Sequence, residues 1–321
     1  MSFRVAVLDD YQRVALSLGP WRQLDPSVEV TCFHDHVDDR RQLVNRLQPF
    51  DAVVAMRERT AFGRDVLSGL PALRLLVTKG MANAVIDVAA ANELGIVVCG
   101  TGGWAGATAT VELTWALILG LARDVPKEDA GIRHGAWQLG IGTQLGGKTI
   151  GIVGLGNIGS LIPPVGRALG MRVTAWSANL SDERAAAVGV ERLDHDEFFS
   201  TSDVITVHLK QSDRSLGYVG RDELRMMKPT ALLVNTSRGP VVDEAALLEA
   251  LERRWIAGAA LDVYDREPLP VDHPLRHLPG TLLSPHMGYV TVESYAEHFT
   301  QAVEDIAAFV DGAPLRVLAP S

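Results

Sequence analysis

The sequence predicts an α/β fold built from two doubly wound, parallel-sheet domains. Three observations carry that expectation. Short apolar runs alternate with helical stretches through both halves of the chain. One of these runs, Thr149–Val153, reads straight into Gly154-Leu155-Gly156-Asn157-Ile158-Gly159. And 321 residues with 47% hydrophobic content exceed what a single core usually organises.

Taken in order, strand-like runs fall at residues 4–8, 28–33, 52–55, 75–78 and 97–99, the rhythm of a parallel α/β unit. Residues 108–121 then form an uninterrupted helical pattern, with Val111, Trp115, Ile118 and Leu119 on one side, and read as the helix joining the two domains. A second series starts at Thr149 and continues at 173–176, 204–209, 231–235, 257–261 and 281–284, six strands that make a complete doubly wound sheet. Residues 292–310 form a long amphipathic helix expected to return to the first unit. The expected division is therefore a flavodoxin-like substrate domain of residues 1–102 plus 290–321, with a Rossmann-type cofactor domain of residues 103–289 inserted into it. One local conflict stands out. Pro163 and Pro164 fall where the helix after the glycine turn should be running, and an interior proline costs about 3 kcal/mol, so a late start or a kink is expected.

Composition narrows the function classes. Thirty basic against 39 acidic residues give a net charge of −9 with no basic block, which argues against nucleic acid or an anionic membrane as partner. Cys32 and Cys99 are the only cysteines and form no Cys-x-x-Cys pair, so neither a disulfide framework nor a zinc knuckle is indicated and a reducing cytoplasm fits. The amino terminus reads as a first strand rather than a leader, and no run of about 18 uncharged apolar residues suggests a membrane span. The cluster His34-Asp35-His36-Val37-Asp38-Asp39 raises the question of a metal. It lacks a distant fourth ligand, and a solvated loop is the preferred reading.

A strand ending in Gly-x-Gly-x-x-Gly and opening a helix offers backbone N–H groups and a positive helix end to a pyrophosphate, so a dinucleotide is the expected ligand. Three more segments follow predicted strands: Asn235-Thr236-Ser237-Arg238-Gly239, Leu261-Asp262-Val263 running on to Glu267-Pro268, and Ser284-Pro285-His286-Met287-Gly288. Open α/β sheets place ligands at such strand ends. Arg238, Glu267 and His286 thus share one rim, and the trio suits reduction of a 2-keto acid. A guanidinium grips a carboxylate through paired hydrogen bonds, and a carboxylate beside an imidazole favours the charged ring that can protonate a forming alkoxide. Each residue alone also fits an ion pair, a turn or a helix cap; their joint placement favours the site.

With those motifs in the same order and spacing, the chain resembles the D-isomer-specific 2-hydroxyacid dehydrogenases over essentially its full length. The resemblance implies an NAD(P)(H)-dependent oxidoreductase that interconverts a small 2-keto acid and its D-2-hydroxy acid, with Arg238 on the substrate carboxylate, His286 as acid/base and Glu267 as its partner. It implies a cofactor site of Thr110, Gly154, Gly156, Asn157, Ile158, Gly159, Trp176, Ser177, Ala178, Asn179, His208, Leu209, Thr236, Ser237, Arg238, Asp262, His286 and Gly288. It also implies a substrate loop of Lys79, Gly80, Met81, Ala82 and Asn83 whose backbone amides hold the carboxylate, no metal, and a homodimer formed through the cofactor domain. His208 reads better as a satisfied structural histidine lining the cleft than as a catalyst. Lys79 either meets a second anionic group on the substrate or projects into solvent, the latter being preferred.

The chain departs from the pattern in one informative place. The acidic residue that takes the ribose hydroxyls in NAD enzymes is missing, and Trp176-Ser177-Ala178-Asn179 stands there instead. No charge repels a 2′-phosphate, and Ser177 or Asn179 can hydrogen-bond one, although the nearest Arg is Arg184. The balance leans slightly to NADP(H). Two other readings share the scaffold: a dinucleotide-sensing binding protein without turnover, and formate oxidation. The latter ranks low because relatives of that activity pair the histidine with Gln, whereas this chain has Glu267.

Overall fold

The computed structural model describes residues 2–320 and divides into two compact units, one containing residues up to Ala105 together with those from Val290 on, the other Gly106–Tyr289. In the first unit, β1 (Phe3–Val7), β2 (Val28–Cys32), β3 (Ala52–Ala55), β4 (Leu75–Lys79) and β5 (Val97–Thr101) form one sheet in the order β2-β1-β3-β4-β5. All pairings are parallel. This is the flavodoxin-like strand order, with its switch point between β1 and β3. β3 and β4 are buried at every position, as expected of strands covered on both faces. The amphipathic helix Val292–Val310, capped by the Thr291 side chain, packs on β4 and β5 of this unit.

The second unit carries a seven-stranded parallel sheet: β6 (Thr149–Val153), β7 (Arg172–Trp176), β8 (Glu191–Arg192), β9 (Val204–Val207), β10 (Leu232–Asn235), β11 (Gly258–Leu261) and β12 (Thr281–Leu283), in the order β12-β11-β10-β9-β6-β7-β8. Six of these were expected; β8 was not. At two residues, one charged and exposed, it offers no apolar run to read. The two faces of the sheet feed separate cores. Val153, Ile205, Leu233 and Leu261 join Phe198 and Phe199 on one side, while Ile150, Ile152, Val234 and Ala260 meet Trp115 and Ile118 on the other. Alternation of side chains along each strand requires this double burial.

The two prolines act as anticipated. The chain leaves the glycine turn as a 3₁₀ turn, Gly159–Leu161, and the α-helix begins only at Ile162, so that Pro163 and Pro164 fall in its first turn where no intrahelical N–H is needed. The helix Ala105–Ala122 is, by length and composition, apolar enough to cross a membrane, with Glu112 as its one charge. Its apolarity has another use here: Val111, Trp115, Leu117, Ile118 and Ala122 are buried in the core of the second unit.

One loop expectation is refined and another needs correction. The His34–Asp39 stretch is not simply solvated: the His36 ring contacts the carboxylate of buried Asp9 at 3.0 Å, and Asp9 also accepts from Thr60. Asp39 caps the helix Arg40–Leu47. Lys79 does not project into solvent either. It is buried, its Nζ donates to the Ser294 carbonyl at 2.8 Å, and burial pulls its pKa down to about 8, aided by Arg57 and opposed by Glu297.

Candidate active site

The glycine turn lies at the switch point of the seven-stranded sheet, between the carboxyl ends of β6 and β9. Gly154 adopts a φ of +93°, and a Cβ there would strike Leu209, while one on Gly159 would come within 2.0 Å of the Gly154 carbonyl oxygen. Both positions therefore require glycine. Gly156 differs: a Cβ on it would meet open space, and among the described residues nothing accepts the amides of Gly156, Asn157 or Ile158. Those open amides fit a pyrophosphate.

His208 and Leu209 stand just beyond β9. The half-buried His208 ring contacts Thr206 at 2.9 Å, and desolvation lowers its pKa to about 3, so the ring is neutral across the physiological range. That agrees with a structural role. Across the turn after β7, the Trp176 ring packs edge-on to His195 at 4.7 Å and against Tyr218 at 5.1 Å, and the Tyr218 hydroxyl accepts from the Ala178 amide at 2.6 Å. Tyr218 was not anticipated, since it lies in a loop remote in sequence and no motif marks it.

The chemistry-bearing residues sit at the ends of three neighbouring strands, β10, β11 and β12. Beyond β10, the Asn235 side chain folds the turn: its Oδ1 accepts from the Ser237 amide and hydroxyl, and its Nδ2 donates to the Arg238 carbonyl. The half-buried Arg238 guanidinium donates to the Ser237 carbonyl at 2.6 Å. A Cβ on Gly239 would lie about 2 Å from the Tyr264 carbonyl group, so glycine here lets the arginine turn press directly on the backbone leading to Glu267. Glu267 is oriented by the Tyr264 amide, which donates to its Oε1 at 3.0 Å, and its Oε2 meets His286 Nδ1 at 2.5 Å.

The histidine turn is organised by Asp262. This carboxylate is 1% exposed and accepts from the Ser284 hydroxyl at 2.6 Å and from the Met287 and Gly288 amides at 2.8 Å each. Burial raises its pKa, while these hydrogen bonds and the nearby His286 pull the other way. Between those anchors His286 adopts a left-handed φ of 51°, an uncommon conformation for a non-glycine residue. A Cβ on Gly288 would come within 3.3 Å of both Asp262 and Thr110. Thr110, anticipated in the cofactor site, thus reaches this cluster, and Thr236 joins through the Thr114 hydroxyl at 2.9 Å.

In the first unit, the loop after β4 differs from expectation in one detail. The Gly80 amide is already bonded to the Thr101 carbonyl, and Asn83 is engaged with Thr78 and the Arg57 carbonyl. The Asn83 bonds are made by its side chain, and among the described residues nothing accepts the backbone amides of Met81, Ala82 or Asn83, which could receive an anion. Arg57, which the sequence reading passed over, lays its guanidinium against Gly80, where any Cβ would collide with it. Its place in Met56-Arg57-Glu58-Arg59-Thr60, directly after β3, was the available signal.

Comparison with known proteins matches residues 115–288 to the family model for the D-isomer specific 2-hydroxyacid dehydrogenase, NAD binding domain. The chain is 39% identical over 257 residues to a glyoxylate reductase of Aeropyrum pernix, covering 77% of this chain and 76% of that protein. It is 35% identical over 279 residues to a D-3-phosphoglycerate dehydrogenase of Archaeoglobus fulgidus, covering 86% of this chain but spanning only 53% of that longer relative. A crystal structure of a phosphoglycerate oxidoreductase from Vibrio cholerae superposes with a TM-score of 0.91 at 38% identity, over 97% of this chain and all of that one.

The lowered pKa of the His208 ring makes stability pH-dependent. The unfolded ring protonates near pH 6.5 and the folded one only near 3, so the unfolded state binds more protons between them. Stability therefore falls on acidification through that window, by at most about 1.4 kcal/mol per pH unit from this ring. Urea unfolding of His208→Gln should lose less stability between pH 7 and pH 5 than the wild type does; parallel losses would contradict the assignment. With the glycine turn, the Glu267–His286 pair and the Arg238 turn in place, and with these relatives, the chain belongs to the D-isomer specific 2-hydroxyacid dehydrogenase family.

Proposed function

We propose that this protein reduces a small 2-keto acid of the glyoxylate or hydroxypyruvate type to the D-2-hydroxy acid, with a slight preference for NADPH over NADH. The observation that carries the reading is the 2.5 Å contact between His286 Nδ1 and Glu267. A carboxylate in that position fixes the ring with Nδ1 as donor, leaving Nε2 to deliver a proton to the substrate oxygen. Arg238 grips the substrate carboxylate through its forked donors and polarises the adjacent carbonyl. In the first unit, the loop of Lys79, Gly80, Met81 and Ala82 is assigned to substrate binding through its backbone amides. The bound dinucleotide supplies the hydride. In the oxidative direction the neutral His286 ring takes the hydroxyl proton.

Glyoxylate reductase and D-3-phosphoglycerate dehydrogenase stand among the relatives, and the smaller substrate is favoured because the chain matches the former over most of its length. Two buried or half-buried thiols, Cys32 and Cys99, with no partner between them suit a reducing compartment such as the cytoplasm. A homodimer through the second unit is also part of the reading. Val125, Ile132, Trp137 and Ile141 are all more than half exposed within one short segment, a concentration of apolar surface that usually marks an interface.

His286→Ala should lower kcat/KM by about 10²- to 10⁴-fold in a spectrophotometric assay with glyoxylate and hydroxypyruvate. Activity retained within about threefold, a difference under about 1 kcal/mol, would remove the ring from its role. Light scattering should give a mass near twice 34.6 kDa for the wild type, and half of that for a Trp137→Asp, Ile141→Asp double variant. A wild-type monomer would contradict the dimer.

A further inference from the structure

The turn after β7 is where a dinucleotide-binding sheet meets the adenosine ribose, and its chemistry here is unusual. No carboxylate stands in Trp176-Ser177-Ala178-Asn179. Instead the turn is closed by a residue from the segment after β9: Tyr218 accepts the Ala178 amide hydrogen at 2.6 Å and packs its ring on Trp176, 5.1 Å between centroids at an interplanar angle of 31°. The tyrosine is itself well anchored. The Gly217 amide donates to the Pro240 carbonyl, and the Val219 amide to the Val241 carbonyl. Behind Trp176, His195 is fixed between Asp196 and Glu223, and Glu223 also accepts from the Gly220 amide. The Glu223 carboxylate is thus already engaged with two donors.

This arrangement has a definite donor and acceptor character. The phenolic oxygen spends an acceptor site on Ala178, and among the described residues nothing accepts the hydroxyl's own proton. The half-buried hydroxyl is consequently a fixed donor at the ribose end of the site. A ribose 2′-hydroxyl wants an acceptor there, which is what the missing carboxylate normally supplies. A 2′-phosphate is acceptor-only and doubly charged, and gains more from a fixed O–H donor.

We propose that Tyr218 determines the choice between the two dinucleotides, its hydroxyl donating to the 2′-phosphate of NADPH from a position set by the Ala178 amide and the Trp176 ring. The inference rests on the dinucleotide-binding reading given above and adds the residue that discriminates. Ser177, at the end of β7, completes the donor set as a second hydroxyl. Tyr218 acts on binding and not on the reacting atoms, so its effect belongs in dissociation constants and KM rather than in kcat.

The experiment measures binding of NADH and NADPH to the full-length protein by energy transfer from tryptophan to the reduced nicotinamide, with turnover of glyoxylate or hydroxypyruvate in parallel. Tyr218→Phe keeps the ring stack and removes the donor. It should weaken NADPH about tenfold or more, as expected for losing a hydrogen bond to a charged group, and leave NADH within about twofold and kcat unchanged. Ser177→Asp restores a carboxylate acceptor and should reverse the preference towards NADH. Equal weakening of both dinucleotides in Tyr218→Phe would show that the tyrosine only supports the turn, and no change in either would show that it is uninvolved; both results overturn the inference while the dinucleotide reading stands. Failure of the wild type to bind either dinucleotide would overturn that reading and the inference with it.

Discussion

One buried carboxylate organises the rim that carries His286 and Glu267. Asp262, at the end of β11, takes three hydrogen bonds, and all three donors lie within two residues of His286: Ser284 before it, Met287 and Gly288 after it. Hydrogen bonds to a charged group contribute about 1.5–3 kcal/mol each, enough together to hold His286 in a left-handed backbone conformation it would otherwise avoid. The ring is thereby set against Glu267, whose own orientation comes from the Tyr264 amide on the same connection out of β11. A single strand end fixes both the imidazole and its carboxylate.

The parallel sheet makes this economical. Strands β10, β11 and β12 run side by side with their carboxyl ends at one edge, so residues far apart in sequence arrive at neighbouring positions. Gly239 then removes the last obstacle, since without a side chain the turn bearing Arg238 rests on the Tyr264 carbonyl. At the switch point of the same sheet the glycine turn offers open amides. The proposed pyrophosphate site and the proposed catalytic rim are products of one topology, consistent with the rule that open α/β sheets bind ligands beyond the carboxyl ends of their strands.

Much of this was legible in the sequence because it is local. Most strands announce themselves as apolar runs, several of them, such as β4, β6, β10 and β11, closed by Gly, Asn or Asp, and the late helix start at Ile162 follows from two prolines in a row. Arg238, Glu267 and His286 could be proposed together because each follows such a strand. What escaped depends on contacts between distant segments. Lys79 reads as a solvent-facing cation until its bond to the Ser294 carbonyl, 215 residues away, buries it. The Gly80 amide looks available until Thr101 claims it, and His36 looks like a loop residue until buried Asp9 meets it. Tyr218 has no signature at all, its importance arising from a partner 40 residues upstream. Strand β8 is missing from the expectation because two polar residues carry no periodicity.

The central claim, that Asp262 positions His286, is tested most directly by Asp262→Asn. An amide keeps one acceptor oxygen but presents N–H groups where the Gly288 amide already points, so one anchor of the histidine turn becomes a repulsion. At saturating dinucleotide and with the far-ultraviolet spectrum unchanged, kcat should fall by about tenfold or more, at least about 1.4 kcal/mol of barrier. A kcat equal to that of the wild type under those conditions would contradict the account.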